Sequence, residues 1–141
     1  MADWYGSARS NYFRVKDAEA FKEWVDSAPD LAARQETEGK DKGKFMLWSA
    51  HEYGGWPTDR YNEETDEHEQ YDLGTELSKH LADGQVAVLV EVGAEKLRHL
   101  SGVAVAINWR GKRTEVSLED IYDVAARRLN VKARAISRAS Y

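Results

Sequence analysis

The sequence contains no cysteine among its 141 residues. Disulfides, thiolate metal sites and a cysteine nucleophile are therefore excluded. No apolar run approaches the roughly 18–20 residues that a membrane-spanning helix needs. Residues 1–13 also lack the charged and apolar regions of a signal peptide. These absences predict a cytoplasmic protein with no membrane partner.

Aliphatic residues are scarce, and the chain has only 2 prolines. Low aliphatic content combined with high net charge indicates disorder, but the formal net charge here is only −5. Five Trp and seven Tyr supply further core material. We therefore expect one folded domain over residues 1–141, because domains of about 100–150 residues are the commonest. Residues 1–9 and 134–141 are candidates for flexible ends.

Hairpin patterns outnumber regular strand–helix–strand alternation. Apolar residues at helical spacing predict main helices over 17–28 and 118–129 and a shorter helix over 73–82. The predicted strands are 10–16, 45–50, 85–92, 103–109 and 112–117, with a further edge strand over 66–72. This order predicts an α+β fold: a mainly antiparallel sheet of about four to six strands, with the two main helices packed on one face.

Recognisable catalytic motifs are absent. The chain has no G-x-S-x-G elbow, no Walker A loop and no G-x-G-x-x-G turn. None of the four histidines is three or four residues from another, the spacing that metal-binding helices use. We therefore assign no catalytic residue, cofactor or metal. The alternative is a small hydrolase or metal-binding protein built within residues 51–72, on His51, Glu67, His68 and Glu69.

Charge is distributed unevenly along the chain. Residues 59–76 hold eight carboxylates against Arg60 alone, whereas the C-terminal end is rich in arginine. This acidic segment also contains aromatic residues, which are favoured at the centres of protein interfaces. The candidate partner-binding residues are Trp56, Tyr61, Glu63, Glu64, Asp66, Glu67, Glu69 and Asp72. The alternative interpretation of Trp56 is a loop anchor against the sheet, and that of the carboxylates is a solvated surface.

A pI near 5.4 argues against direct nucleic-acid binding. A row of carboxylates can instead imitate a phosphate backbone and occupy a basic channel on another protein. The expected partner is therefore a protein, including one with a basic nucleic-acid channel. The oligomeric state stays open.

Four stretches of the sequence carry a resemblance that spans most of residues 11–126. They are NYFRVKDAEAFKEW, GGWPT, HLADGQVAVLVEVGAEKLRHLSGVAVAIN and VSLEDIYDVA. Together they resemble a group of small, mostly uncharacterised bacterial proteins, some encoded on phages and mobile elements. The resemblance implies a context shared with anti-restriction and anti-CRISPR inhibitors, and it transfers no catalytic residue. The modest net charge and the basic C-terminal end differ from extreme DNA mimics.

Three functional hypotheses follow from these observations. The first is a non-enzymatic interaction module, including an acidic-faced inhibitor of a nucleic-acid-handling host defence system. The second is the small hydrolase or metal-binding protein. The third is a housekeeping domain whose partner leaves no readable pattern in the sequence.

Overall fold

The computed structural model describes residues 4–95 and 99–139, and within them it has an α+β fold. The strands are β1 (Trp4–Ser10), β2 (Leu31–Gln35), β3 (Phe45–Ser49), β4 (Asp59–Asn62), β5 (Glu67–Gln70), β6 (Val86–Glu95), β7 (His99–Asn108) and β8 (Arg113–Ser117). The helices are α1 (Ala18–Ser27), α2 (Leu73–Ser78) and α3 (Asp120–Arg128). Six strands form an antiparallel sheet in the order β2-β3-β1-β6-β7-β8, which confirms the predicted fold class.

Helix α1 forms where the sequence predicts it. The Asp17 carboxylate accepts hydrogen bonds from the backbone N–H groups of Glu19 and Ala20, at 3.0 and 3.1 Å, so it satisfies two unpaired donors of the first turn. Phe21 and Val25, one turn apart, are buried against the sheet. No helix in the described part of the chain has the length and apolar content needed to cross a membrane.

The buried core lies on one face of the sheet. Side chains alternate along a strand, so paired residues such as Ala87 and Ile107 share a face. We call the face that contains Ala87 and Ile107 the core face. Its cluster also includes residues of the sheet, of α1 and α2 and of the segments next to these helices: Phe13, Phe21, Val25, Phe45, Leu47, Tyr71, Leu73, Leu77, Leu81 and Leu89.

The opposite face of the sheet, here called the open face, has no helical layer over its centre. α3 contributes no residue to the core cluster. It lies beside Val116, whose side chain is on the open face and lines one hollow together with Asp120 and Val124 of α3. The expectation that both main helices pack on one face therefore holds for α1 and not for α3. The apolar stripe of α3 is narrow and leaves Ile121 and Leu129 exposed, so it cannot form a second core layer.

The N-terminal segment differs from the expectation of a flexible end. Residues 4–10 form β1, which pairs with β6 over its whole length and with β3 at Arg9. The predicted strand over 10–16 is instead an irregular segment, joined to the sheet by a bridge from Phe13 to Phe45. Pairing on both sides supplies the hydrogen bonds that order β1, although its sequence WYGSARS is a poor strand former. Residues 1–3 lie outside the described part.

The C-terminal end folds back on α3. A 3-10 turn at Ala133–Ala135 leads to Arg138, which forms a salt bridge to Glu119 at 2.7 Å. The Ala139 N–H donates to the Tyr122 hydroxyl at 2.5 Å. These contacts constrain part of the predicted flexible end 134–141, of which residues 140–141 lie outside the described residues.

A glycine loop over residues 50–58 closes the core face above β1 and β6. Gly54 is buried against Gly6 with φ +79°, and a Cβ at Gly54 would lie 1.9 Å from the Gly6 carbonyl oxygen. The Trp56 N–H donates to Oε1 of Glu91 at 2.7 Å, so β6 holds the loop from below. Trp56 packs against the core cluster. The loop is therefore seated by close backbone approach and by one carboxylate.

Substituting Gly54→Ala tests this close approach. Gly84 serves as the matched control, because its φ is +83° and a Cβ added there would have no atom within 4 Å. Both substitutions force a side chain onto a left-handed backbone, but only Gly54→Ala adds a clash with backbone atoms. We expect Gly54→Ala to reduce the free energy of unfolding by about 1–3 kcal/mol more than Gly84→Ala, measured by urea denaturation. Equal losses would show that the loop is not tightly seated.

His80 is packed among aromatic rings next to α2. Its ring stacks on Trp24 with centroids 4.9 Å apart and meets the edge of Phe21 at 6.0 Å. Desolvation by this burial lowers the pKa of His80 below its ordinary value of 6.5. The nearby carboxylates Glu76 and Asp17 oppose the shift, and the nearby lysines 16 and 79 reinforce it.

Because the pKa of His80 is lower in the folded state, the unfolded chain binds more protons in the window below about pH 6.5. Folding stability that is present above this value is therefore lost as the pH falls through the folded pKa. We expect the melting temperature of the wild-type protein to fall more between pH 7 and pH 5 than that of His80→Gln. Parallel slopes for His80→Gln and the wild type would contradict this assignment.

Candidate interaction surface: the acidic hairpin

The acidic segment forms a separate two-stranded hairpin, here called the acidic hairpin and defined as residues 59–70. β4 and β5 pair in register from Asp59 opposite Gln70 to Asn62 opposite Glu67. The hairpin is closed at its base, where the Tyr71 N–H donates to the Thr58 carbonyl at 2.9 Å. Tyr71 is buried, and its hydroxyl accepts a hydrogen bond from Trp24 Nε1 at 3.0 Å. The core thus holds the base of the hairpin while the strands extend into solvent.

The turn at the tip follows from its side chains. The Asn62 side-chain oxygen accepts from the backbone N–H of Glu64 at 2.9 Å and from that of Thr65 at 3.4 Å, which is an Asx-type turn. Asp66 then adopts φ +55°, a left-handed conformation that Asp tolerates better than most residues. Tight local hydrogen bonding therefore presents the tip in one conformation.

The acidic hairpin carries six carboxylates and one arginine. They are Asp59, Glu63, Glu64, Asp66, Glu67 and Glu69, all exposed. Asp59 contacts His68 at 3.0 Å, and Glu69 accepts from the Asn62 amide at 2.6 Å. Within residues 4–95 and 99–139, no lysine or arginine forms a salt bridge with any of the six. The described lysines and arginines, the C-terminal arginines among them, therefore form no salt bridge with the hairpin carboxylates.

Tyr61 lies within this charged surface. It is opposite His68 on one side of the hairpin, with ring centroids 5.5 Å apart, and it is 49% exposed. Its hydroxyl donates to Asp66, and this hydrogen bond raises the pKa of Tyr61 above its ordinary value of 10. The ring is therefore an oriented, accessible aromatic group beside carboxylates. This combination of an apolar body and a polar tip suits an interface contact.

Trp56 lies at the base of the hairpin rather than among the carboxylates. It packs against the core, in agreement with the loop-anchor interpretation, and its indole Nε1 is buried with no hydrogen-bond partner among the described residues. Sequence reasoning missed Glu91, the residue that holds the Trp56 backbone. Its signal was a lone carboxylate in the otherwise apolar run QVAVLVEV.

Asp72 has a structural role next to the hairpin. It is the N-cap of α2, accepting from the Thr75 N–H at 3.1 Å, and it forms a salt bridge to Arg113 at 3.0 Å. Partial burial alone would raise the pKa of Asp72, but the hydrogen bonds from Thr75 and Arg113 outweigh it and hold the pKa below its ordinary value. Asp72 therefore stabilises the fold. The other five candidate carboxylates, which the sequence analysis grouped with it, lie on the exposed hairpin.

The histidines proposed for a hydrolase or metal site have separate hydrogen-bond partners. In the part of the chain that the structure describes, no group of three or more His, Asp or Glu side chains could hold a metal ion. His51 accepts from the Tyr53 N–H through Nδ1 at 3.1 Å, whereas His68 contacts Asp59. A polar hollow of about 270 Å³ lies between Asp30, His51, Trp56 and Asp59. Its lining contains no serine or cysteine nucleophile.

Comparison with known protein families, curated proteins and solved structures finds no match for this chain. The assignment of a function therefore rests on the surface chemistry.

Replacing Asp72 tests its role in stability. We expect Asp72→Ala to reduce the free energy of unfolding at pH 7 by about 1–2 kcal/mol, because both the cap and an exposed ion pair are lost. Asp72→Ser keeps a capping oxygen and should lose only about 0.5 kcal/mol. Because the Asp72 pKa is lowered by folding, the advantage of wild type over Asp72→Ser should disappear as the pH falls below about 4. Urea denaturation at several pH values measures both effects, and equal losses for Ala and Ser would refute the capping role.

Proposed function

We propose that this protein is a non-enzymatic interaction module that presents the acidic hairpin to a basic surface of another protein. The observation that carries the proposal is the group of six exposed carboxylates, none of which forms a salt bridge with a described lysine or arginine. Side chains that serve only solubility are normally interspersed with charges of the opposite sign. Here the one interspersed arginine, Arg60, faces Glu69 across the strands.

The chemistry of the hairpin favours a partner that ordinarily binds nucleic acid. Glu67 and Glu69 alternate on one strand, so their side chains project from the same side about 6.8 Å apart. That spacing is about twice the 3.4 Å between successive phosphates of one DNA strand, measured along the helix axis. Two carboxylates at this interval can contact the same lysines and arginines that bind phosphates. Such an encounter is fast and is weakened by salt.

The biological role that we propose is inhibition of a nucleic-acid-handling host defence system. The resemblance of the sequence to small proteins of phages and mobile elements favours this role, because that context is shared with anti-restriction and anti-CRISPR inhibitors. Tyr61 would add an aromatic contact beside the carboxylates. The proposal places the recognition on the acidic hairpin alone and gives Trp56 and Asp72 supporting roles at its base.

A charge-matched pair of variants tests the proposal. The hairpin variant combines Glu63→Gln, Glu64→Gln, Glu67→Gln and Glu69→Gln. The control removes four exposed carboxylates elsewhere, by Glu23→Gln, Asp26→Asn, Glu38→Gln and Glu115→Gln, so both variants have the same net charge. Each protein is immobilised and exposed to the heparin-binding fraction of a bacterial extract. We expect wild type and control to capture the same proteins, and the hairpin variant to capture at least about tenfold less.

Duplex DNA added to the captured material provides the second measurement. If the hairpin occupies nucleic-acid channels, DNA should release the captured proteins from the wild-type surface, and moderate salt should do the same. Equal capture by the hairpin variant would refute recognition through these carboxylates. Capture that depends on the hairpin but resists DNA would refute the nucleic-acid-binding class of partner.

A further inference from the structure

The open face of the sheet is apolar although the protein is acidic. Strand alternation places on this face residues of all six strands, and none of them is Asp or Glu. The only charged members are Arg9 and Arg34, both on the half of the sheet nearer β2. The exposed large apolar residues on or bordering the face are Tyr5, Trp48, Val86, Val90, Val92, Leu100, Val116 and Leu118.

The size of this surface is that of a protein interface. The exposed fractions of these eight residues run from 38% to 76%. They amount to roughly 700 Å² of accessible surface, above the 300–600 Å² of the largest patch on a typical monomer. A standard interface takes about 800 Å² from each partner. One contact that covered the open face would therefore be of the size of a stable complex.

The shape of the open face is complementary to the same face of a second copy. β6 presents a ridge of valines at positions 86, 88, 90 and 92, and the adjacent β7 presents Gly102, Ala104 and Ala106. The small residues leave an apolar hollow of about 210 Å³ between Val90, Ala104 and Val116. A two-fold axis parallel to the strands, between β6 and β7, would set each valine ridge into the small-residue furrow of a second copy. Face-to-face sheets pack about 10 Å apart through such interdigitation.

Charged residues on either side of β6 and β7 also fit this two-fold axis. That rotation brings β1 of one copy over β8 of the other, and so brings Arg9 towards the first turn of the second copy's α3. There Asp120 and Asp123 line a hollow with Val116, and neither forms a salt bridge with a described residue. Arg9 is exposed and also has no carboxylate partner in the described chain. The basic group on β1 and the acidic group next to β8 would meet across two copies.

We propose that the open face is a homodimer interface, in which β6 and β7 of two copies pack face to face and Arg9 of each copy pairs with Asp120 and Asp123 of the other. Loop 50–58 and the base of the acidic hairpin lie on the core-face side, so the dimer leaves both hairpins exposed. This inference does not depend on what the hairpin binds.

Sedimentation velocity of the full chain measures the assembly. We expect the wild-type protein to sediment at twice the chain mass of 16.0 kDa at micromolar concentration. Val90→Glu places a carboxylate in the centre of the interface and should weaken dimerisation at least about 100-fold. Ala104→Glu, on the neighbouring strand, should do the same. Val131→Glu is the matched control at an exposed valine outside the open face and should remain dimeric.

A charge exchange tests the register of the two sheets. Arg9→Glu alone should weaken the dimer by roughly tenfold or more, and Arg9→Glu combined with Asp123→Arg should recover most of the loss. Circular dichroism establishes that each variant is folded. A wild-type chain that stays monomeric at about 100 µM overturns the proposal. It does so even if the monomer binds lipid vesicles or another protein through this face. A dimer that Val90→Glu and Ala104→Glu leave intact overturns it as well.

Discussion

The helical layer covers only one face of the sheet, and the rest of the molecule is organised by this asymmetry. α1, α2 and the segments around them bury their apolar side chains against one set of alternating strand residues. Much of the other set, including Val90 and Val92, stays exposed. Because residues on a strand alternate between faces, one choice of register assigns every side chain of the six strands to one of these two environments.

The contact between Gly54 and Gly6 links the core face to the acidic hairpin. The two backbones can approach this closely because Gly54 has no side chain, and the loop is further held by Glu91. The chain then leaves the core at Thr58 and returns at Tyr71, whose backbone hydrogen bond closes the hairpin. A mobile acidic loop would lose conformational entropy on binding, whereas this hairpin is already ordered at its base and tip.

The two proposed surfaces differ in charge and in shape. The acidic hairpin is charged, narrow and solvated, which suits fast, salt-sensitive recognition of a basic partner. The open face is broad and apolar, which suits a lasting contact. In the homodimer, a second copy would cover the apolar surface and leave two acidic hairpins on one particle. Two linked hairpins would bind a partner with two basic sites more strongly than one hairpin does.

Local patterns in the sequence predicted those elements whose own residues carry the signal. The α1 stripe with its Asp17 cap, the apolar runs of β3, β6 and β7 and the acidic character of residues 59–76 are all visible without a structure, and so is the α+β class. The candidate residues of the hairpin, Tyr61 through Glu69, were selected because carboxylates cluster along this part of the chain beside an aromatic residue, and their role in binding stays a prediction.

Tertiary structure decided the features that depend on partners distant in sequence. β1 is a paired strand because β3 and β6 supply its hydrogen bonds, and its own residues give no such signal. β4 and β5 pair across a turn set by Asn62, which local propensity does not reveal. Glu91, 35 positions away, holds the backbone of Trp56, and Arg113, 41 positions away, pairs with the Asp72 carboxylate. A sequence pattern records what each segment prefers, whereas which face is buried and which charges are paired depends on contacts that exist only after folding.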